Sequence, residues 1–495
     1  MKKYFYLLAV CIPFVCSAQN QGNIWCFGEE SGLDFSSGSP IAISEGQTGT
    51  DSSAYSQEGT AVISDSTGSI LFYSGGHTVW NRNHERMPNG NDISGGQSST
   101  HSSIIVPKPG DENLFYLFTS DHFLSYYSET EKGYNYSIID MCLDNGDGDV
   151  IADQKNIALA DSSTEKLSVC MDNEGTGYWI VGHKMFSDQF MAWHLTSSGL
   201  SDPVISTIGT IHGWSPVTST WNPGRALGQM KFNSTGTKLA LAIGNSRPAI
   251  VDLFDFDLTT GLISNNCYIA IDSSLNKRVY GVEFSPDDTK LYATVSGGSG
   301  GKRLYQYDLT ADGGTCSAII DSRLTIFQSN VNSVMNGMQL GPDDKIYIVC
   351  NEYSDIGCIN YPNLMGDAVE FDSLAVVISG VKNSYTFPSF IANYEYMNTM
   401  TTCQPTSLAI SSINNKLIAF YPSPIHTIGT LKINSEMDLQ NLEIYIYDAL
   451  GRVRYQTAIN EYETTINLER LASGIYFYRL SYKLENIKTG RVIIE

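Results

Sequence analysis

The chain has 495 residues, 42% of them hydrophobic and 11% aromatic, and a formal net charge of −22. That apolar content excludes an intrinsically disordered chain, and the length leaves room for more than one domain. The charge argues against nucleic acid or an anionic lipid surface as partner, because both repel an acidic protein.

At the N-terminus, Lys2 and Lys3 precede an apolar run from Tyr4 to Val15 and the small-residue end Cys16-Ser17-Ala18. This order predicts a signal peptide over residues 1–18, cut between Ala18 and Gln19, with a run too short to span a bilayer. Cys16 raises lipoprotein attachment as the alternative, but Phe14 and Val15 beside it are not the small residues a lipidation site needs. No later stretch reaches the roughly twenty apolar residues of a transmembrane helix. Eight cysteines follow the leader, an even set with no Cys-x-x-Cys pair. That spacing speaks against structural zinc, and in an exported chain disulfides persist.

From Asn23 to about Tyr396 the hydrophobic period is two and no long amphipathic helix is visible, so the body is all-β. One strand-turn-strand unit recurs. Val282-Glu283-Phe284-Ser285-Pro286-Asp287-Asp288-Thr289-Lys290-Leu291 has its turn preset by Pro and favoured by Asp side chains bonding to backbone. The same design returns at Met230 and at Met338, with weaker copies at Ala61, Ile104 and Leu167. Third strands such as Leu304–Leu309 often follow. A unit of roughly 45–60 residues with four short strands is the signature of a β-propeller blade. Six hairpins, with a fragment at Tyr385–Ile391 completed by the N-terminal strands, predict seven blades over residues 19–396. The hairpin Ile346–Cys350 with Gly357–Tyr361 predicts a Cys350–Cys358 disulfide across its two strands.

Asn23-Ile24-Trp25-Cys26-Phe27-Gly28, Val79-Trp80-Asn81-Arg82-Asn83-His84 and Ile105-Val106-Pro107-Lys108-Pro109-Gly110 resemble a family of exported propeller proteins of gliding, type IX-secreting bacteria. The similarity runs through most of the propeller. It departs at Cys26, where an aromatic is usual, and at His101, where Gln is usual. That family brings an expected fold and address but no settled activity.

A polar linker, 397–417, leads to a final segment, 418–495. There Tyr421-Pro422-Ser423-Pro424, Tyr447-Asp448-Ala449-Leu450-Gly451-Arg452 and Gly474-Ile475-Tyr476 resemble the type A C-terminal sorting domain of the type IX secretion system, with Ser423 where Asn is usual. The resemblance implies a small β-sandwich, recognised by the secretion machinery at the outer membrane and often removed afterwards. It places the mature protein outside the cell or on the outer-membrane surface.

Chemistry is harder to assign, and no catalytic residue is nominated. Gly297-Gly298-Ser299-Gly300-Gly301 fits the nucleophile-elbow spacing, but Lys302-Arg303-Leu304 leads into a strand where the elbow needs a helix. His77, His84, His101 and His122 crowd one third of the chain without a metal-ligand spacing. Asp144, Asp147 and Asp149 are the best calcium candidates, though they miss the register of a helix-loop-helix calcium loop. Without them no cofactor is expected. Trp80, Asn81, Arg82 and His84 join an aromatic face to hydrogen-bond donors and are the candidate ligand contacts. The leading expectation is a non-enzymatic surface module that binds an extracellular protein or glycan. The alternative is a secreted hydrolase or lyase working on glycan or peptide in the central channel.

Overall fold

The computed structural model describes residues 20–494 apart from short stretches, the longest of them 47–57 and 397–417. The expected cleavage point at Ala18 and Gln19, the linker 397–417, Gly297 to Gly300, Pro422, Pro424 and Gly451 lie outside the described residues. The chain divides into two compact units, Met1–Gln404 and Pro405–Glu495. The fold is all-β, with one short α-helix, Cys316–Asp321, and a few 3-10 turns among the described residues.

Before residue 404 the described strands form seven antiparallel sheets and a two-stranded ribbon, Trp214–Ser215 with Thr220–Trp221. The first sheet holds Ile24–Phe27, Ser31–Asp34 and Ile41–Ile43; the second holds Ala61–Ser64, Ile70–Ser74 and Val79–Asn81. The third to seventh sheets begin at Ser103–Pro107, Leu167–Met171, Met230–Phe232, Arg278–Phe284 and Met338–Leu340. In each, consecutive strands pair with consecutive neighbours, except that Ile157–Ala160 in the third sheet and Val204–Thr207 in the fourth return to pair with the third strand, Tyr134–Asp140 and Gln189–Thr196. The recurring turns explain this locally. Their fourth position sits in the left-handed region, filled by Gly68, Gly175 and Gly236 or by Asp288 and Asp344, whose short polar side chains tolerate it. In each turn the amide of that residue donates to the carbonyl three positions earlier, as Gly236 does to Asn233 and Asp288 to Ser285.

The first strands of successive sheets lie side by side, from Ile24–Phe27 next to Ala61–Ser64 through to Arg278–Phe284 next to Met338–Leu340. Phe371–Val377 of the seventh sheet lies against Ile41–Ile43 of the first. Because strands alternate in direction, the links between second and third strands and, in the third to seventh sheets, the links onward to the next segment leave from one end of each sheet. We call this the loop end; the tight turns occupy the other.

Two expectations need correction here. Phe387–Ile391 does not share a sheet with the N-terminal strands, which pair among themselves. Pro388 makes a single parallel bridge to Thr60, and Phe387 and Phe390 wedge their rings against Trp25, 5.3 and 5.8 Å away. The contact is aromatic packing, not a strand ladder. The Cys350–Cys358 bond is also absent, and both thiols are free and buried. The register sets Cys358 opposite Tyr347, three residues before Cys350. That odd offset puts the two sulfurs on opposite faces of the sheet. Cys267 and Cys316 are bonded instead, joining an outer strand of the fifth sheet to the short helix of the sixth, with Cα atoms 5.3 Å apart. Cys142 is also disulfide-bonded.

In the second unit, one sheet holds Ile418–Tyr421, Ile428–Ile433 and Glu463–Asn467. The other holds Val453–Ala458, Leu442–Tyr447, Gly474–Tyr482 and Glu485–Ile494. One apolar core draws on both sheets, with Leu431, Ile433 and Ile466 packed together with Ile444, Leu480 and Val492.

Candidate functional site

The residues that start each sheet converge on a polar cluster. Glu58, just before the second sheet, accepts a hydrogen bond from the Tyr280 hydroxyl of the sixth sheet at 3.0 Å. Glu165, just before the fourth sheet, accepts from the Thr100 amide and hydroxyl at 2.9 and 2.8 Å, and the Gly228 amide donates to that same hydroxyl. Lys166 is fully buried and its ammonium donates to the carbonyls of Ala226, Leu227 and Gly228. Gln229 bonds both the amide and the carbonyl of Met338. Lys231 donates to Gln339 and lies 3.4 Å from the Glu283 carboxylate, which also accepts from the Leu340 amide. Each link joins chain segments tens to more than a hundred residues apart.

His101 stands among these groups. Its Nε2 accepts from the Met230 amide at 3.1 Å, so the ring proton sits on Nδ1 and donates to Ser389 Oγ, also at 3.1 Å. Burial, then the charges of Lys231 and Lys166, hold its pKa well below the ordinary value, so it is neutral. A glutamine supplies the same acceptor and donor, which accounts for Gln as the usual residue at this position in the family it resembles.

Burial, then the charge of Glu165, pushes the Glu58 carboxyl up to about 8. Burial pushes Glu165 up to about 7 against the bonds from Thr100, and it brings Lys166 down to about 7 against the Glu165 charge. Such shifts are often catalytic, but catalysis also needs room. At the turn end of the cluster a void of about 30 Å³, bordered by Lys231, Glu283 and Gln339, has the volume of one water.

Ligand-sized space is found at the loop end. A cleft of about 240 Å³ lies between the second and third sheets, lined by His77, Gln97, Asp121, His122, Ser125 and Lys132 with Gly95 and Gly96. Asp121 is fixed by the amides of His122 and Lys132, both at 2.8 Å. A side chain at Gly96 would sit 2.4 Å from the His122 nitrogen, so only glycine lets the two loops approach. Also at the loop end, Phe186, Ile211 and Trp214 expose 38%, 38% and 39% of their surface. Phe186 holds a positive φ of 58°, rare for a bulky residue, and its amide bonds the His212 carbonyl. The rings of His183 and His212 stack 3.8 Å apart.

The expected ligand contacts are placed differently. Trp80 is only 3% exposed and stacks on Tyr73 at 5.5 Å, so it has no face for a ligand. Asn81 caps its own turn by accepting from the amides of Asn83 and Glu85. His84 bonds the Tyr73 hydroxyl, and Arg82 lies 4.0 Å from Asp147. These four residues build a tight turn, and alternation alone did not separate that role from binding. The calcium candidates do not converge either. Asp149 accepts from the amide and side chain of Asn89, and Asp144 opens a one-turn 3-10 helix. Among the described residues no three His, Cys, Asp or Glu side chains are grouped to hold a metal ion. Of the four clustered histidines, His77 and His122 meet in the loop-end cleft.

The sequence reading missed the central charges, yet a signal existed. Lys231, Glu283, Gln339 and Ser168 hold the same position in four copies of the repeated hairpin, and all four border the turn-end void.

In the second unit the motif residues shape turns. Asp448 accepts from the Arg452 amide at 3.1 Å and from Nε of Arg452 and Arg454, both at 2.8 Å. The Tyr476 hydroxyl donates to the Ala472 carbonyl. Residues 419–495 match the family model described as the secretion system C-terminal sorting domain. The tail is a type IX sorting domain, which implies export to the cell surface or extracellular space and engagement of that secretion machinery. No helix among the described residues is long and apolar enough to cross a membrane.

No curated protein matches the chain. Among solved structures, PorZ of Porphyromonas gingivalis, described as an essential surface component of the type IX secretion system, is 13% identical at a TM-score of 0.33. That match covers 96% of this chain, which spans 59% of the length of PorZ. A putative 6-phosphogluconolactonase from Bacteroides fragilis is 10% identical at a TM-score of 0.42, over 74% of this chain and 96% of its own. Virginiamycin B lyase from Staphylococcus aureus is 9% identical at 0.36, over 66% and 85%. No activity passes to this chain from likenesses this remote.

Proposed function

We propose that residues 19–396 form a closed seven-bladed propeller, that residues 418–495 form a β-sandwich sorting domain, and that the whole is an exported, non-enzymatic module that binds glycan. Side-by-side first strands and the seventh sheet against the first support the ring. One observation carries the functional reading. The ionisable groups at the centre are buried and hydrogen-bonded to hydroxyl, amide and carbonyl groups of other segments, while the loop end offers a polar cleft of about 240 Å³ and exposed aromatic rings.

Hydroxyl-rich ligands need polar donors and acceptors at their edges and flat apolar surface under their C–H faces. The cleft supplies the first through His77, Gln97, Asp121 and His122, and Trp214 and Phe186, outside the cleft's lining, expose the second elsewhere at the loop end. A volume of about 240 Å³ equals about eight waters, enough for one sugar residue at the end of a chain. A hydrolase in the channel would need substrate-sized space beside Glu58 and Glu165, and both carboxyls are enclosed.

A glycan array probed with the full chain tests this. Binding to a restricted set of glycans is expected, with Trp214→Ala and His77→Ala each weakening it at least tenfold. No binding on the array, or binding that neither variant changes, overturns the reading.

A further inference from the structure

The four-stranded sheet of the tail buries one face, through Ile444, Ile446, Leu480 and Val492, and leaves the other to water. Side chains that face water add nothing to the tail's core, yet this outer face carries aromatic and aliphatic side chains beside its polar ones, Glu443 included, which accepts from the Tyr445 hydroxyl. Val453, Tyr447 and Phe477 form one row across three strands, since Tyr447 is in register with both of the others. Gln456, Tyr445 and Arg479 form the next row. Phe477 is 49% exposed, Ile475 52% and Val453 51%.

The Arg479 guanidinium lies over the Tyr445 and Tyr447 rings, 4.9 and 5.4 Å from their centres, and its Nε has no hydrogen-bond partner among the described residues. Arg452 and Arg454, beside and on the edge strand Val453–Ala458, share a single carboxylate, Asp448. Residues 405–495 contain nine acidic and nine basic residues, so the chain's excess of 22 negative charges lies entirely before them. Tyrosine, phenylalanine and arginine are the residues that anchor protein interfaces.

We propose that this outer face is the docking surface through which the secretion machinery holds the tail, and that its partner presents an apolar surface rimmed by carboxylates. The inference rests on the reading of the tail as a sorting domain and adds which face is recognised. A second copy of this chain is the poorer occupant, because apposed copies of this face bring arginines together.

The test uses the full chain in a type IX-secreting host, reading the surface-exposed fraction and, on purified protein, thermal unfolding. Phe477→Ser with Ile475→Ser, and separately Arg479→Glu, should each lower surface delivery at least tenfold while the unfolding of the tail is unchanged. Val453→Glu, at the row's other end, serves if either of these proves unstable, and should cause the same loss. Delivery at the level of the unaltered protein for folded variants overturns the docking face. A chain lacking 405–495 is the control: its normal delivery would defeat the sorting reading itself, a different outcome. A photo-crosslinker at position 477 should capture a component of the secretion machinery, and capture of unrelated proteins or of lipid alone also overturns the proposal.

Discussion

The two units of this chain solve the same β-sheet problem with opposite interiors. The described core of the tail is Ile, Leu and Val with Tyr478, and the unit is electrically neutral. The body carries the whole negative excess and also buries Glu58, Glu165, Lys166, Lys231 and Glu283 where its sheets meet. Apolar contacts are non-directional, and one of several packings can satisfy them. Buried charges tolerate only arrangements that supply each partner, and such groups are retained in some proteins for specificity. We hypothesise that the central cluster fixes which sheet sits beside which, a constraint that a two-sheet tail does not need.

The largest expected effect comes from breaking that cluster. Lys166→Met strands three backbone carbonyls and leaves Glu165 without its neighbouring charge. A buried acceptor left unsatisfied costs about 1–3 kcal/mol, so three stranded carbonyls, partly relieved by relaxation, set a loss of about 3–5 kcal/mol. Denaturant unfolding should show the body destabilised by that amount and the tail unmoved. A shift under about 1 kcal/mol would mean that the cluster adds little stability.

Next in size is the Cys267–Cys316 disulfide, which closes a loop of 49 residues. Replacing both cysteines with alanine should destabilise the body by about 2–4 kcal/mol. Alkylation of denatured, unreduced protein should label Cys350 and Cys358 fully and Cys267 not at all. Unlabelled Cys350 and Cys358 would restore the bond that the sequence suggested.

A smaller, pH-dependent effect separates the units further. Glu58 has an ordinary value of 4.5 raised to about 8 by burial. Between those values the folded body keeps a proton that the unfolded chain has released, so this group's contribution to stability falls as pH rises through the window. Glu58→Gln removes that dependence. Its stability relative to the unaltered protein should therefore increase from about pH 5 to about pH 8. A constant difference across that range contradicts the assignment.

The smallest change is expected at the tail's outer face, where Phe477→Ser should alter tail stability by less than about 0.5 kcal/mol, as exposed positions do. A loss of several kcal/mol would show that the ring is covered.

What the sequence made legible follows the same division. The hairpins at Ala61, Ile104, Leu167, Met230, Val282 and Met338 each begin an observed sheet, because turn chemistry and alternation act over a dozen residues. The tail's motifs were equally local, as Asp448 and Arg452 sit four residues apart and bond each other. The centre was not legible, since Thr100 meets Gly228 and His101 meets Met230 across more than a hundred residues. Only the shared repeat position of Lys231, Glu283 and Gln339 hinted at it. Trp80 and Trp214 look alike in sequence, and the second sheet happens to bury one while a long link exposes the other. The cysteine pairing failed on a register offset that loop length does not reveal.

The account turns on a centre closed by side chains, and amide hydrogen exchange on the full chain tests it most directly. The amides of Thr100, Met230 and Met338 donate to Glu165, His101 and Gln229, not to a backbone ladder. If the centre is closed, these amides should exchange as slowly as the most protected strand amides of the body, through its global unfolding alone. Exchange at rates typical of loop-end amides would mean that water reaches the centre, and an open channel would replace the bonded cluster described here.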